Sequence, residues 1–252
     1  MHETEMKYCV IIPAYNSERH IAAVLRDVLQ YTNDIIVVND GSTDRTLQAV
    51  EKFMEVGVDV VSYPRNRGKG YAIGKGFDRA LARGFTHAVT LDADGQHRAK
   101  DIVGLAEAAD GDQDAIIIGS RRFDNPDMPQ GNRFANQFSN FWFRIQTGIS
   151  LPDTQTGFRL YPLHKMSRMR PLTRRYEAEL ELLVRSAWRN IKLIAKPIDV
   201  YYPPSGERIS HFRKGRDFLR ISLLNTVLCI IAVIYGYPSM WLRRVWKYYV
   251  RR

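Results

Sequence analysis

Apolar and polar positions follow two rhythms along the first 120 residues. Short runs rich in β-branched residues, 8–12, 35–38, 58–62, 88–91 and 115–118, are bounded by Gly, Pro, Asp or Asn and predict strands. Between them, 18–31, 43–56, 70–83 and 99–109 carry helical periodicity, and Ser42 or Thr43 offers an N-cap for the second. Strand and helix alternating at this spacing predict an α/β fold, a mostly parallel central sheet flanked by helices on both faces. A further helical pattern over 177–183 places Glu177, Glu179 and Glu181 among apolar residues, where a structural role is the default for at least two of them.

The pattern changes near the C-terminus. Residues 221–237, ISLLNTVLCIIAVIYGY, hold no charge, and as a helix would measure about 25 Å, short of the ~20 residues that usually cross a bilayer. Arg208, Arg213, Lys214, Arg216 and Arg220 precede this run. Arg243, Arg244, Lys247, Arg251 and Arg252 follow it, interleaved with Trp241, Trp246, Tyr248 and Tyr249. Apolar body, aromatic belt and cationic flanks predict a segment at an anionic membrane surface. Ser222, Asn225 and Cys229 fall near one face, which favours lying in the interface or packing on a partner. A buried C-terminal core helix is the alternative.

Composition is that of a globular protein: 252 residues, 45% apolar and 25% charged. The net charge of +10 suggests nucleic acid until it is divided along the chain. Residues 1–204 carry 27 basic and 25 acidic residues, whereas 205–252 carry 10 and 2. The charge belongs to the tail, and no nucleic-acid partner is expected. The two domains expected are a catalytic body, 1–212, and a basic, aromatic, apolar tail, 213–252. The N-terminal MHETEMKYC is polar and unlike a signal peptide, and Cys9 and Cys229 have no metal-ligand spacing. A reduced, cytoplasmic setting is expected.

In such sheets ligands bind beyond the carboxyl ends of the strands, so the strand ends carry the functional information. The first strand runs into Pro13-Ala14-Tyr15-Asn16-Ser17-Glu18 and the second into Asn39-Asp40-Gly41-Ser42-Thr43-Asp44. After the third comes Asn66-Arg67-Gly68-Lys69-Gly70, after the fourth Asp92-Ala93-Asp94-Gly95-Gln96-His97, and the fifth ends in Gly119-Ser120-Arg121-Arg122. One Asp-Gly pair is ordinarily a turn; five polar strand ends on one rim make a site. Asp92 and Asp94, one residue apart, suit a hard cation such as Mg²⁺ or Mn²⁺ shared with substrate phosphates, and Gln96 can add an oxygen. His97 reads as a surface hydrogen-bonding residue more than as a ligand. Lys69 between two glycines places a cation where backbone can approach a phosphate closely. Neither GxxxxGK[ST] nor GxGxxG is present, which argues against P-loop hydrolysis and dinucleotide redox chemistry.

The ordered set VIIPAYNSE, IIVVNDGSTD, NRGKGYAIGKG, LDADGQH, GSRRF and DTQTGFRLY resembles family-2 glycosyltransferases of the GT-A (Rossmann-like) fold. More narrowly it resembles the dolichyl-phosphate mannose synthase-like branch, over roughly residues 6–212. The resemblance implies an inverting, metal-dependent transferase moving one sugar from a GDP- or UDP-sugar to a polyprenyl-phosphate-type lipid at the cytoplasmic face of a membrane. It implies that Pro13, Tyr15, Glu18 and Asp40 line the base and ribose pocket, that Lys69 lies near the donor, and that Asp92 and Ala93 lie near ribose or sugar. It further implies that Asp94 and Gln96 hold the metal and that Arg121 and Arg133 hold the acceptor phosphate. Asp153 would orient or deprotonate the acceptor, with Arg159 as its partner. The chain departs from the pattern at Asn39, which replaces the first acid of an Asp-Asp pair, and at Ser17, which displaces Glu18 by one position. A family loop appears as 206–211, where Arg208 or His211 would supply its cation. Residues 130–134 resemble a processive-synthase motif but lie before the acceptor motif and end in Phe, which disfavours processive synthesis. A hydroxyl-bearing lipid or glycan, kept open by the carboxylates Asp153, Glu177, Glu179 and Glu181, is the alternative acceptor, and a non-catalytic nucleotide-sugar-binding membrane protein the more distant reading.

Overall fold

A computed structural model of the protein describes residues 6–123, 128–169, 171–175, 177–202 and 214–250. The predicted cation loop at 206–211, and Arg213 beyond it, lie outside the described residues.

Seven strands form one sheet: β1 (Tyr8–Ala14), β2 (Ile35–Asp40), β3 (Asp59–Tyr63), β4 (His87–Thr90), β5 (Ile116–Arg121), β6 (Arg159–Pro162) and β7 (Leu193–Ile198), in the spatial order β3-β2-β1-β4-β6-β5-β7. All neighbours run parallel except β6, which is antiparallel to β4 and β5. Period-2 alternation sends Cys9 and Ile11 of β1 into one apolar layer and Val10 and Ile12 into the other. Both faces are therefore covered, as the continuous apolar strand runs require.

The helices are α1 (Ile21–Val28), α2 (Thr46–Glu51), α3 (Lys69–Ala82), α4 (Asp101–Ala109), α5 (Gln130–Thr147), the single turn α6 (Leu163–Met166), α7 (Glu177–Trp188), α8 (Lys214–Ile231) and α9 (Tyr237–Val250). α1 and α2 start later than the periodicity predicts because their leading residues lock two loops together. Asn16 N–H donates to Ser42 Oγ, Thr43 N–H to Asn16 Oδ1 and Ser17 N–H to Thr46 Oγ1. The N-cap position of α2 falls on Arg45, not on Ser42 or Thr43, and the preceding Asp44 accepts the Thr46 N–H through Oδ1 at 2.9 Å.

A π-helical stretch, Ala232–Gly236, joins α8 to α9, so the tail is one helix through 214–250. Gly236 in that stretch is required by space, since a β-carbon there would stand 2.5 Å from Trp188 Nε1. Leu228, Ala232 and Met240 complete the core layer that contains Phe143, Leu183 and Trp188. Asn225, buried, accepts from Gln146 Nε2 at 3.0 Å. The polar face of the tail thus packs on α5, while Leu223, Val233, Ile234, Trp241 and Trp246 are exposed. The apolar helix is longer than the uncharged run suggested. Leu219–Trp246 spans 28 residues, contains an 18-residue stretch of mean hydropathy 1.9, and is long and apolar enough to cross a membrane.

Candidate active site

Chain order runs β1, β2, β3 in one direction across the sheet and then jumps to β4 on the other side of β1. That reversal opens a crevice at the carboxyl ends of β1 and β4. Loop 13–18 flanks it on one side and loop 92–97 on the other. The β5 end and the start of antiparallel β6 reach the same edge, since Arg159 pairs with Thr90 and with Ile118.

At the floor of the crevice Lys69, the first residue of α3, places its Nζ 2.7 Å from Asp92 Oδ1 and 2.8 Å from Glu179 Oε2. Burial opposes ionisation of Asp92, but the Lys69 ammonium outweighs it and holds the carboxyl below the usual range. Burial likewise works against the Lys69 charge and loses to the two carboxylates, which raise its pKa. Glu179 goes the other way: burial, reinforced by Asp92, lifts its pKa, and its second oxygen is buried without a partner among the described residues. Gly157 closes this cluster. A β-carbon on it would lie 2.6 Å from Lys69 Nζ and 2.8 Å from Asp92 Oδ2.

Asp94 lies further out, exposed, at a tight turn where Gly95 has φ +74°. Its Oδ1 accepts the Gln96 N–H at 3.0 Å. Desolvation in the crevice and the neighbouring Asp92 charge raise its pKa. Among the described residues no cluster of three or more His, Cys, Asp or Glu forms a metal cage. One hard carboxylate with an adjacent amide instead fits Mg²⁺ or Mn²⁺ shared with substrate phosphate oxygens. His97 differs from the surface role expected of it: its ring packs 5.2 Å from Phe158, its Nδ1 is buried without a partner among the described residues, and burial lowers its pKa.

At the carboxyl end of β5, Arg121 donates Nε to Asp153 Oδ2 at 2.7 Å and Nη2 to Oδ1 at 3.0 Å. The backbone N–H groups of Arg121, Gln155 and Thr156 also donate to this fully buried carboxylate. The partner of Asp153 is therefore Arg121 and not Arg159, whose guanidinium donates to Thr154 O, Glu179 O and Tyr161 OH. The loop carrying Asp153 is clamped to α5. Asn136 and Asn140 donate to Pro152 O, and Ser139 and Thr154 share a 2.7 Å hydroxyl bond. Arg133 is half-buried one turn before Asn136, with its Nε unpartnered among the described residues.

The residues expected at the base and ribose pocket divide into two groups. Pro13, next to last in β1, and Tyr15, directly after it, are half-buried at the carboxyl end of that strand. Asp40 and Glu18 are committed to backbone. Asp40 accepts the N–H groups of Arg67 and Gly68 at 2.7 and 2.8 Å, fixing the loop that delivers Lys69. Glu18 accepts the Arg45 N–H at 3.0 Å. Asn39, where an acid was expected, donates to Ser62 Oγ and accepts the Ser42 N–H. Ala93 is buried between Asp92 and Asp94. The geometry thus adds Glu179, Gly157 and the α5 asparagines to the residues the motifs named.

The strand ends thus bring Asp94, the Lys69–Asp92–Glu179 cluster and the Arg121–Asp153 pair to one edge of the sheet at its topological switch point, the arrangement of a GT-A fold. The chain belongs to glycosyl transferase family 2, whose family model matches residues 9–167. It is 29% identical over 214 residues to a UDP-N-acetylglucosamine–dolichyl-phosphate N-acetylglucosaminyltransferase of Methanococcus voltae, covering 77% of this chain and 85% of that one. It is 28% identical over 200 residues to a polyprenol monophosphomannose synthase of Mycolicibacterium smegmatis, covering 75% of each. In fold it matches glucosyl-3-phosphoglycerate synthase of Mycobacterium tuberculosis, solved with uridine diphosphate. The TM-score is 0.64 at 18% identity, over 90% of this chain and 80% of that one.

Proposed function

We propose that this glycosyltransferase moves one sugar from a GDP- or UDP-sugar to a polyprenyl phosphate at the cytoplasmic face of a membrane. The observation that carries the reading is the Arg121–Asp153 fork beside the Lys69–Asp92–Glu179 cluster. A guanidinium oriented by Asp153 through Nε and Nη2, and close enough to feel the Asp92 charge, supports a role in holding an anionic acceptor. Relatives named for dolichyl-phosphate and polyprenol acceptors support the same class. A related fold crystallised with Mn²⁺ and uridine diphosphate supports a divalent cation.

In the proposed reaction an acceptor phosphate oxygen attacks the anomeric carbon from the face opposite the nucleotide. The bond from that carbon to the diphosphate breaks, and the nucleoside diphosphate leaves with the electron pair. The acceptor is already anionic, so no proton must be removed and Asp153, saturated by five donors, serves to hold Arg121. Asp94 with Gln96 would hold Mg²⁺ or Mn²⁺, which neutralises charge on the departing diphosphate. Pro13, Tyr15, Asp40 and Glu18 shape the nucleoside side directly or through the loops they fix. Arg133 would meet the acceptor phosphate from α5. The division into a catalytic body, 1–212, and a membrane-associating tail, 213–252, is part of this reading, with the tail seated on the body.

The test is a panel of radiolabelled GDP- and UDP-sugars offered with undecaprenyl phosphate and either Mg²⁺ or Mn²⁺. Label is expected in the lipid phase, in a product stable to base but labile to mild acid. Label transferred only to hydroxyl acceptors would replace this reading with the alternative.

A further inference from the structure

We infer that Glu179 is a positioning residue for the donor, acting through Lys69. The inference rests on the function proposed above, because it takes the crevice to be a nucleotide-sugar site. Lysine carries four rotatable side-chain bonds, and one ion pair leaves most of that freedom intact. Here the ammonium is fixed from two sides, by Asp92 at 2.7 Å and Glu179 at 2.8 Å, and Gly157 lies against the pair.

The backbone is arranged to make this possible. Gly68 N–H is held by Asp40, Gly70 N–H donates to Arg174 O at 2.9 Å, and a β-carbon on Gly70 would stand 2.3 Å from Ala178 Cβ. The first turn of α3 therefore lies against the first turn of α7, and Glu179 follows Ala178 directly. The Glu179 carbonyl accepts from Arg159 Nη1 at 2.8 Å, which ties that turn to β6. Glu179 is thus placed by three elements and spends one oxygen on Lys69. Its effect on the donor is to hold a cation beside Asp92, at the head of the motif that carries Asp94.

A double-mutant cycle on the full-length protein in detergent tests this. Binding of UDP and of GDP in the presence of Mn²⁺ is measured by calorimetry for Glu179→Ala, Glu179→Gln, Lys69→Met and the double variants. Loss of one charge-assisted bond predicts nucleotide binding weaker by about tenfold in Glu179→Ala. Glu179→Gln, whose amide oxygen still accepts from Lys69, should stay within about threefold. In the Lys69→Met background, removing Glu179 should add nothing. In the transfer assay the loss should appear in the donor KM and not in kcat. Should Glu179→Ala fail to fold, Glu179→Leu fills the same space without an acceptor. Additive losses in the Lys69→Met background would overturn the inference. So would a Glu179→Gln variant as impaired as the alanine one, with kcat lost and nucleotide affinity kept, because that pattern marks a proton-transferring base. Wild-type protein binding neither nucleotide would overturn the proposed function itself, and that outcome is visible before any variant is made.

Discussion

Arg121 lays its guanidinium fork on Asp153, with Nε–Oδ2 at 2.7 Å and Nη2–Oδ1 at 3.0 Å. The carboxylate is fully buried and the arginine side chain is 14% exposed. Removing one partner of such a pair leaves the other charged and desolvated, which costs about 3–5 kcal/mol. Asp153→Ala should therefore lower unfolding free energy by that amount, the stranded Gln155 and Thr156 N–H groups contributing. Chemical denaturation measures it, and a loss below about 1 kcal/mol would show the pair to be solvated.

Gly157 supplies a sharper test, because the space it leaves is occupied by charge. Alanine there forces Lys69 Nζ and Asp92 to move, and Asp92 is too short to retreat along its own chain. Overpacking of this kind costs about 1–3 kcal/mol. The larger effect should be on the donor: nucleotide binding in Mn²⁺ weaker by about tenfold or more, with the fold retained. The change is expected to shrink when Lys69 is replaced by Ala, since the flexible partner is then gone. Unaltered nucleotide affinity in Gly157→Ala would separate the cluster from the donor.

How far the site was legible in the chain follows from what each feature depends on. The strand ends were readable, because Asp40 and Arg121 end buried strands and the Asp92–Asp94 pair follows another within four residues. Glu179 was not singled out, because its use depends on the approach of Gly70 to Ala178, a contact between residues 108 positions apart. The clamp of Asn136 and Asn140 on Pro152 was missed for a similar reason: isolated asparagines in a helix carry no signature until the loop they hold is placed. Partner choice also failed from sequence. Arg159 is six residues from Asp153 and Arg121 is 32 away, yet the strand pairing turns Arg159 toward α7. The tail was legible on both sides in outline, its outer face by hydrophobicity and its inner face by Ser222, Asn225 and Cys229, while the partner Gln146 on α5 was not.

Glu179 also predicts a pH dependence. Its pKa in the folded protein is raised by burial, above the ordinary glutamate value of about 4.3. A carboxyl raised on folding contributes stability that is fully present below its unfolded pKa and is lost as pH rises through the folded one. Glu179→Gln does not titrate. The stability of that variant relative to wild type should therefore increase as pH rises from about 4.3 through the folded value. Denaturation midpoints at unit steps between pH 4 and pH 8 would follow the change. A difference that falls with pH would mean that Lys69 stabilises the charged form beyond the cost of burial.

The tail tests whether membrane attachment and folding can be separated. Leu228, Ala232 and Met240 are buried in the core layer with Trp188, and Gly236 leaves the gap that the Trp188 indole fills. Trp188 Nε1 in turn donates to Gln146 O at 2.9 Å, so the inner face of the tail covers a hydrogen-bonded part of the core. Deleting 214–250 uncovers this layer and should cost about 3 kcal/mol or more, so loss of membrane binding in such a truncation would not isolate the role of the tail. The outer face is the better probe. Trp241 is 64% exposed and Trp246 70% exposed, and Ile234 within the π-helical stretch is 74% exposed. Replacing all three by Ser removes apolar area that is mostly exposed, and should change stability by no more than about 0.5 kcal/mol. If this face enters the bilayer, partitioning onto anionic vesicles should fall by at least about tenfold while nucleotide binding is unchanged. Gly236→Leu should do the converse, disturbing the fit on Trp188 and lowering stability while the outer face still binds vesicles. A triple-Ser variant that keeps full vesicle binding would assign the attachment to the basic flanks alone, and its dependence on salt would then be steep.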